Sequence, residues 1–110
     1  GWLMVKHDFV IHSGHDFSFT YQVPNDSDRV LTGFTGVCKI RKRHDEGVIF
    51  NLDAEVDEKS VTFTLNGDVS AAKQLRTNDF VYDAFIFNDS EHIKLGYGKI
   101  TFIQDISMHD

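Results

Sequence analysis

The sequence predicts an all-β fold, an antiparallel sandwich of seven to eight strands with one short helical turn near residues 69–75. Apolar side chains recur at every second position through most of the chain, which is the period of a half-buried strand. The runs are short and are separated by polar or glycine-containing turns, the punctuation of a sandwich rather than of parallel β-α-β units. Helical spacing is nearly absent. A length of 110 residues suits one domain able to bury its own core, here drawn from about Met4 to Met108 (residues 4–108).

Residues 8–12 form a short strand closed by Ser13 and Gly14. Phe17, Phe19, Tyr21 and Val23 then alternate with Ser18, Thr20 and Gln22, and the run stops at Pro24. Residues 30–35 are apolar but interrupted by Gly33 and Gly36, so a bend is expected before the next strand. Cys38 and Ile40 mark the inward face of that strand, and Val48, Phe50, Leu52, Ala54 and Val56 mark the inward face of the one after it. With Asp45-Glu46-Gly47 as a three-residue connection, Gly47 takes the left-handed position of a bulged hairpin loop. That loop sets His44 against Val48, Ile40 against Leu52 and Cys38 against Ala54. On the outer side it sets Arg41 against Asn51 and Lys39 against Asp53, an opposite-charge pair.

Pairing Val56 with Val61 puts Ala54 beside Phe63 and Leu52 beside Leu65, which completes a three-stranded meander. Residues 70–75 contain helix formers over too few positions for more than one or two turns, with Leu75 as the buried anchor. Residues 80–87 are apolar on both faces and read as a central, doubly buried strand. A hairpin loop at residues 88–91 leads into a long last strand. Ile93, Leu95 and Tyr97 share a side there, then Ile100 and Phe102 do, and a β-bulge at Gly98 accounts for the change of parity. The layering and turn spacing are of immunoglobulin-like type, without the Cys-Trp-Cys framework of true immunoglobulin domains.

Composition narrows function by exclusion. The formal charge is −6, so a phosphate backbone is repelled unless a local basic face overcomes the net field. Residues 39–44 are basic, but their side chains divide between two faces of a strand and do not imply a contiguous stripe; no nucleic-acid partner is expected. No apolar stretch approaches the ~20 residues of a membrane-spanning helix, and residues 1–8 lack the apolar segment of a signal peptide; no membrane partner is expected. The single cysteine, Cys38, falls on an inward face, where a thiol is inert. His12 and His15 offer two imidazoles without further ligands, and residues 25–28 are oxygen-rich without calcium-loop spacing. Asp53, Glu55 and Asp57 alternate outward as a solvated charged face rather than converging as an acid–base pair. No catalytic residue, metal site or cofactor is expected.

The order of features resembles the N-terminal immunoglobulin-like domain of phage upper baseplate proteins, the BppU N-terminal family, and related phage tail domains. The matching residues are Phe9-Val10-Ile11, Gly14-His15-Asp16-Phe17-Ser18-Phe19, Leu31-Thr32-Gly33 and Val37-Cys38-Lys39-Ile40-Arg41-Lys42. Further along they are Gly47-Val48-Ile49-Phe50, Val61-Thr62-Phe63-Thr64-Leu65, the turn ending at Leu75, Tyr82-Asp83, and Gly98-Lys99-Ile100-Thr101-Phe102. The resemblance covers about residues 8–103. It implies a non-enzymatic structural part of a virion, made in the host cytoplasm, that docks to other tail or baseplate proteins; a homo-oligomer is a further partner expectation. Aromatic side chains concentrate interface energy, so the expected anchors are Trp2, Phe85, Phe87 and Tyr97. The alternative is a carbohydrate-binding β-sandwich module, with Trp2, Tyr21 or Tyr97 stacking on sugar rings.

Overall fold

The computed structural model describes residues 4–42, 47–72 and 80–103. The elements, in chain order, are β1 (Val5–Lys6), β2 (Phe9–His12), β3 (Phe17–Gln22), β4 (Thr35–Lys42), β5 (Val48–Asn51), β6 (Asp53–Val56), β7 (Ser60–Leu65), α1 (Gly67–Ala72), β8 (Phe80–Phe87) and β9 (His92–Ile103). They form two sheets packed as a sandwich. The larger has the order β1-β9-β8-β4-β5, with β2 also on β9, and the smaller has the order β3-β7-β6.

Alternation does what it promised along most strands. Val61, Phe63 and Leu65 of β7 are buried while Ser60, Thr62 and Thr64 are half-exposed. Cys38 and Ile40 of β4 are buried, as are Phe80, Tyr82, Ala84 and Ile86 of β8. These side chains meet Ile11, Leu31, Leu95, Ile100 and Phe102 in one core between the sheets. The bend expected before β4 is present: Gly33 has φ +90°, a left-handed conformation suited to glycine.

The pairings depart from the sequence reading in four places. First, the run from Val48 to Val56 is not one strand. It breaks at Leu52, whose N–H donates to the Cys38 carbonyl at 2.9 Å, and the chain passes from the larger sheet at β5 to the smaller at β6. A meander within one sheet is therefore replaced by a crossing between sheets, although Val56 opposite Val61 and Ala54 opposite Phe63 hold. Second, β4 and β5 are offset by two residues from expectation: Ile40 faces Phe50, Lys39 faces Asn51, and the ladder shifts at Arg41, which faces Val48. Lys39 does not meet Asp53; its neighbour across the other edge of β4 is Asp83. Residues 43–46, with His44 and all of the turn but Gly47, lie outside the described residues.

Third, β1 and β2 run parallel to β9, so the larger sheet is mixed rather than wholly antiparallel. Fourth, the bulge in β9 sits at Leu95, because Ala84 faces Gly96 while Phe85 faces Lys94. Leu95 and Gly96 are both buried, and Tyr97 is turned outward. Strand β8 is central, as its composition requires, but it is not buried on both faces: Val81, Asp83 and Phe85 are half-buried and Phe87 is exposed.

The helix begins earlier than the helix formers suggest. Asn66 Oδ1 accepts the Asp68 N–H at 2.8 Å and Asp16 Oδ1 accepts the Gly67 N–H at 2.7 Å, which satisfies two first-turn donors. Buried Ser70 ties the helix down, its Oγ donating to the Gly67 carbonyl and accepting the Gly14 N–H. Leu75 lies outside the described residues.

Candidate docking face

The register of β4, β8, β9 and β1 decides which side chains share the outer face of the larger sheet. In successive rows it presents Thr35, Phe87 and His92, then Val37, Phe85 and Lys94, then Lys39, Asp83, Tyr97 and Lys6, then Arg41, Val81 and Lys99. Val10 and Ile103 extend it along β2 and β9. Of the expected anchors, Phe85, Phe87 and Tyr97 are brought together here, and Trp2 lies outside the described residues. Phe87 is 38% exposed and Tyr97 39%. Phe85 is half-buried beneath His92, with ring centroids 4.6 Å apart and planes within 25°, and Phe87 lies 6.3 Å from Phe85. The Lys94 ammonium stands over the Tyr97 ring at 6.0 Å, the outer reach of a cation–π contact.

The charges on this face were not legible as a set. Lys6, Lys39, Arg41, Lys94 and Lys99 all project from it. The one carboxylate among these rows is Asp83, half-buried, with Oδ1 lacking a hydrogen-bond partner. A contiguous basic surface is thus assembled across strands in a chain whose formal charge is −6. Lys39 and Arg41 could be placed together by their spacing of two. The remaining members depend on the bulge at Leu95 and on the parallel docking of β1, and neither has a local signal.

The outer face of the smaller sheet is different in kind. Ser18, Thr20 and Gln22 of β3, Ser60, Thr62 and Thr64 of β7, and Asp53 and Glu55 of β6 form it. Thr20 and Thr62 share a hydroxyl hydrogen bond of 2.8 Å. Strands β3, β6 and β7 contain no lysine or arginine, and exposed Asp57 and Glu58 follow β6.

The other candidate groups are placed as follows. Cys38 is buried at 1% exposure, and burial, with the Asp83 charge adding to it, pushes its thiol up to about 12. Such a thiol is protonated at neutral pH and is no nucleophile. His12 and His15 have ring centroids 6.1 Å apart beside a cavity of about 400 Å³; Asp16, which also lines it, is engaged with α1. Among the described residues no three His, Cys, Asp or Glu side chains gather in a metal-holding group. In the turn at residues 25–28, the Ser27 N–H donates to the Pro24 carbonyl and Ser27 Oγ accepts the Arg29 N–H. Tyr21 is not a free stacking platform. It is half-buried against Phe19 and Phe63, and its hydroxyl is hydrogen-bonded with that of Tyr82. Burial raises the Tyr21 hydroxyl above its ordinary range and Tyr82 still further.

Among the described residues no helix is long and apolar enough to cross a membrane. No family model and no curated protein matches the chain.

Proposed function

We propose that the chain is a non-enzymatic docking module of a bacteriophage tail or baseplate, resident in the virion and binding neighbouring structural proteins through the outer face of its larger sheet. The observation that carries this reading is that Phe87 and Tyr97, each at least 38% exposed, share that face with half-buried Phe85 and are bordered by cations. Exposed aromatic groups with a charged surround have the composition of an interface core with a polar rim. The phage assignment is supported by the resemblance of residues 8–103 to baseplate domains. Cross-linking and mass spectrometry of purified particles tests it. Cross-links from Lys94 and Lys99 to a tail or baseplate subunit are expected, and their loss in Phe87→Ser/Tyr97→Ser. A protein never found in purified particles defeats the reading.

A second reading is favoured by one specific feature, the outward ring of Tyr97 with Lys94 beside it. An aromatic ring exposed on a sheet face is a stacking platform for a sugar, and saturable binding on a glycan array that is abolished by Tyr97→Ala would select this reading instead.

A further inference from the structure

The proposed docking face is basic, and the same molecule carries the surface that complements it. Lys6, Lys39, Arg41, Lys94 and Lys99 stand on the outer side of the larger sheet against half-buried Asp83 and, at its β1–β2 edge, Asp8, whose Oδ1 accepts the Lys99 N–H. On the opposite side, Asp53 and Glu55 project from β6, Asp57 continues the same alternation, and the strands of that sheet hold no cation. Alternate side chains on a strand are roughly 6.5–7 Å apart. Asp53 and Glu55 therefore repeat at the same interval as Lys39 and Arg41.

From this charge complementarity we infer that the occupant of the basic face is a second copy of this chain, presenting the acidic outer face of its smaller sheet. The inference rests on the docking reading and names the partner. Such a contact is heterologous, front of one copy to back of the next, and each copy retains one free face, so it propagates into a ring or a row. Two molecules of charge −6 repel one another at long range. Near 0.15 M salt that repulsion is screened beyond about 8 Å, while charges brought into contact still attract. Front-to-back is the arrangement in which opposite charges meet. Back-to-back places Asp53 and Glu55 against their own kind.

Sedimentation velocity of the full chain at 0.15 M NaCl reads this directly. The weight-average mass is expected to rise with concentration above the 12.6 kDa of one copy and to fall back towards it at 0.5 M NaCl. Lys94→Glu/Lys99→Glu sets two carboxylates among the three remaining cations of the larger face, and Asp53→Lys/Glu55→Lys sets two cations beside Asp57, so each alone should associate at least tenfold more weakly. An equimolar mixture of the two variants should regain association. All four positions are exposed, and unchanged melting temperatures verify that the fold is intact. A wild type that stays monomeric up to millimolar concentration, or variants that associate as the wild type does, overturns the inference. A monomeric wild type that binds labelled single-stranded DNA, with loss in Lys94→Glu/Lys99→Glu, also overturns it and assigns the face to a nucleic acid. A monomeric wild type that still cross-links to another virion protein through Lys94 and Lys99 leaves the docking reading standing and removes the second copy as the partner.

Discussion

At the scale of single residues, the core of this sandwich contains groups whose ionisation opposes folding. Cys38 lies between the sheets at 1% exposure, and its thiol is raised from 9.0 to about 12, chiefly by loss of solvent and secondarily by the charge of Asp83. Between those two values the unfolded chain is ionised at this position and the folded chain is not. Folding there takes up a proton, so stability is at its full value below pH 9 and declines as pH rises towards 12. Three units of displacement set a ceiling of roughly 4 kcal/mol on that decline. Tyr21 and Tyr82 are shifted the same way and steepen the loss above pH 10. Urea denaturation of the wild type and Cys38→Ala at pH 8 and at pH 11 isolates the thiol, because the tyrosines contribute to both proteins. The alanine variant should be less stable at pH 8, where it lacks a buried sulfur, and the gap should close or reverse at pH 11. A constant gap would show that the thiol ionises in the folded state as readily as in the unfolded one.

At the scale of elements, the shortest strand is held by a side chain from the centre of the sheet. The Tyr82 hydroxyl of β8 donates to the His7 carbonyl at 2.6 Å, and the His7 N–H donates to the Tyr97 carbonyl at 3.0 Å, so the residue after β1 is fixed from two directions. Tyr82→Phe removes the first tie and leaves the His7 carbonyl and the Tyr21 hydroxyl short of a partner. A loss of about 1–3 kcal/mol is expected, together with faster amide exchange at His7 but not at Ile40 or Phe63. Unchanged exchange at His7 would mean that β1 is held by its ladder alone. What the sequence made legible follows the same division. Inward and outward faces of β3, β4, β7 and β8 could be read because burial enforces parity. The offset of β4 on β5 could not be read from the faces, since sliding the strands by two residues leaves Phe50 and Leu52 inward. Nor could the switch at Leu52, because a strand crossing a sandwich corner keeps its alternation while changing its partners. Phe85 and Phe87 could be found as candidate anchors from a run apolar on both faces. The cations around them could not be gathered, because two strands and a bulge separate Lys39 from Lys6.

At the scale of the molecule, the two ends of the described chain close the larger sheet. Strand β2 pairs with β9 from Phe9 opposite Ile100 to His12 opposite Ile103. Asp8 Oδ1 accepts the Lys99 N–H at 2.9 Å across 91 residues of sequence, and only a glycine fits at position 98, where an added Cβ would strike the His7 carbonyl. Among the described residues, this contact and the pairings of β1 and β2 with β9 require the longest loop closure. The β8–β9 pairing, joined by a short turn in which Asn88 Oδ1 accepts the Ser90 and Glu91 N–H groups, requires one of the shortest. Closure entropy has to be met before a distant contact contributes, so the hairpin should form ahead of the transition state and the β2 clasp behind it. Ile11, at 1% exposure, reports on the clasp. Ile11→Ala should cost about 2–5 kcal/mol, and nearly all of it should appear as faster unfolding, with φ below about 0.3. Ile86→Val in the hairpin should cost about 0.5–1.5 kcal/mol and slow folding in larger proportion. Stopped-flow chevrons of the two variants decide the order of assembly. If Ile11→Ala slows folding by as large a share of its cost as Ile86→Val does, the clasp belongs to the nucleus, and parallel pairing of the chain ends is an early event rather than the last one.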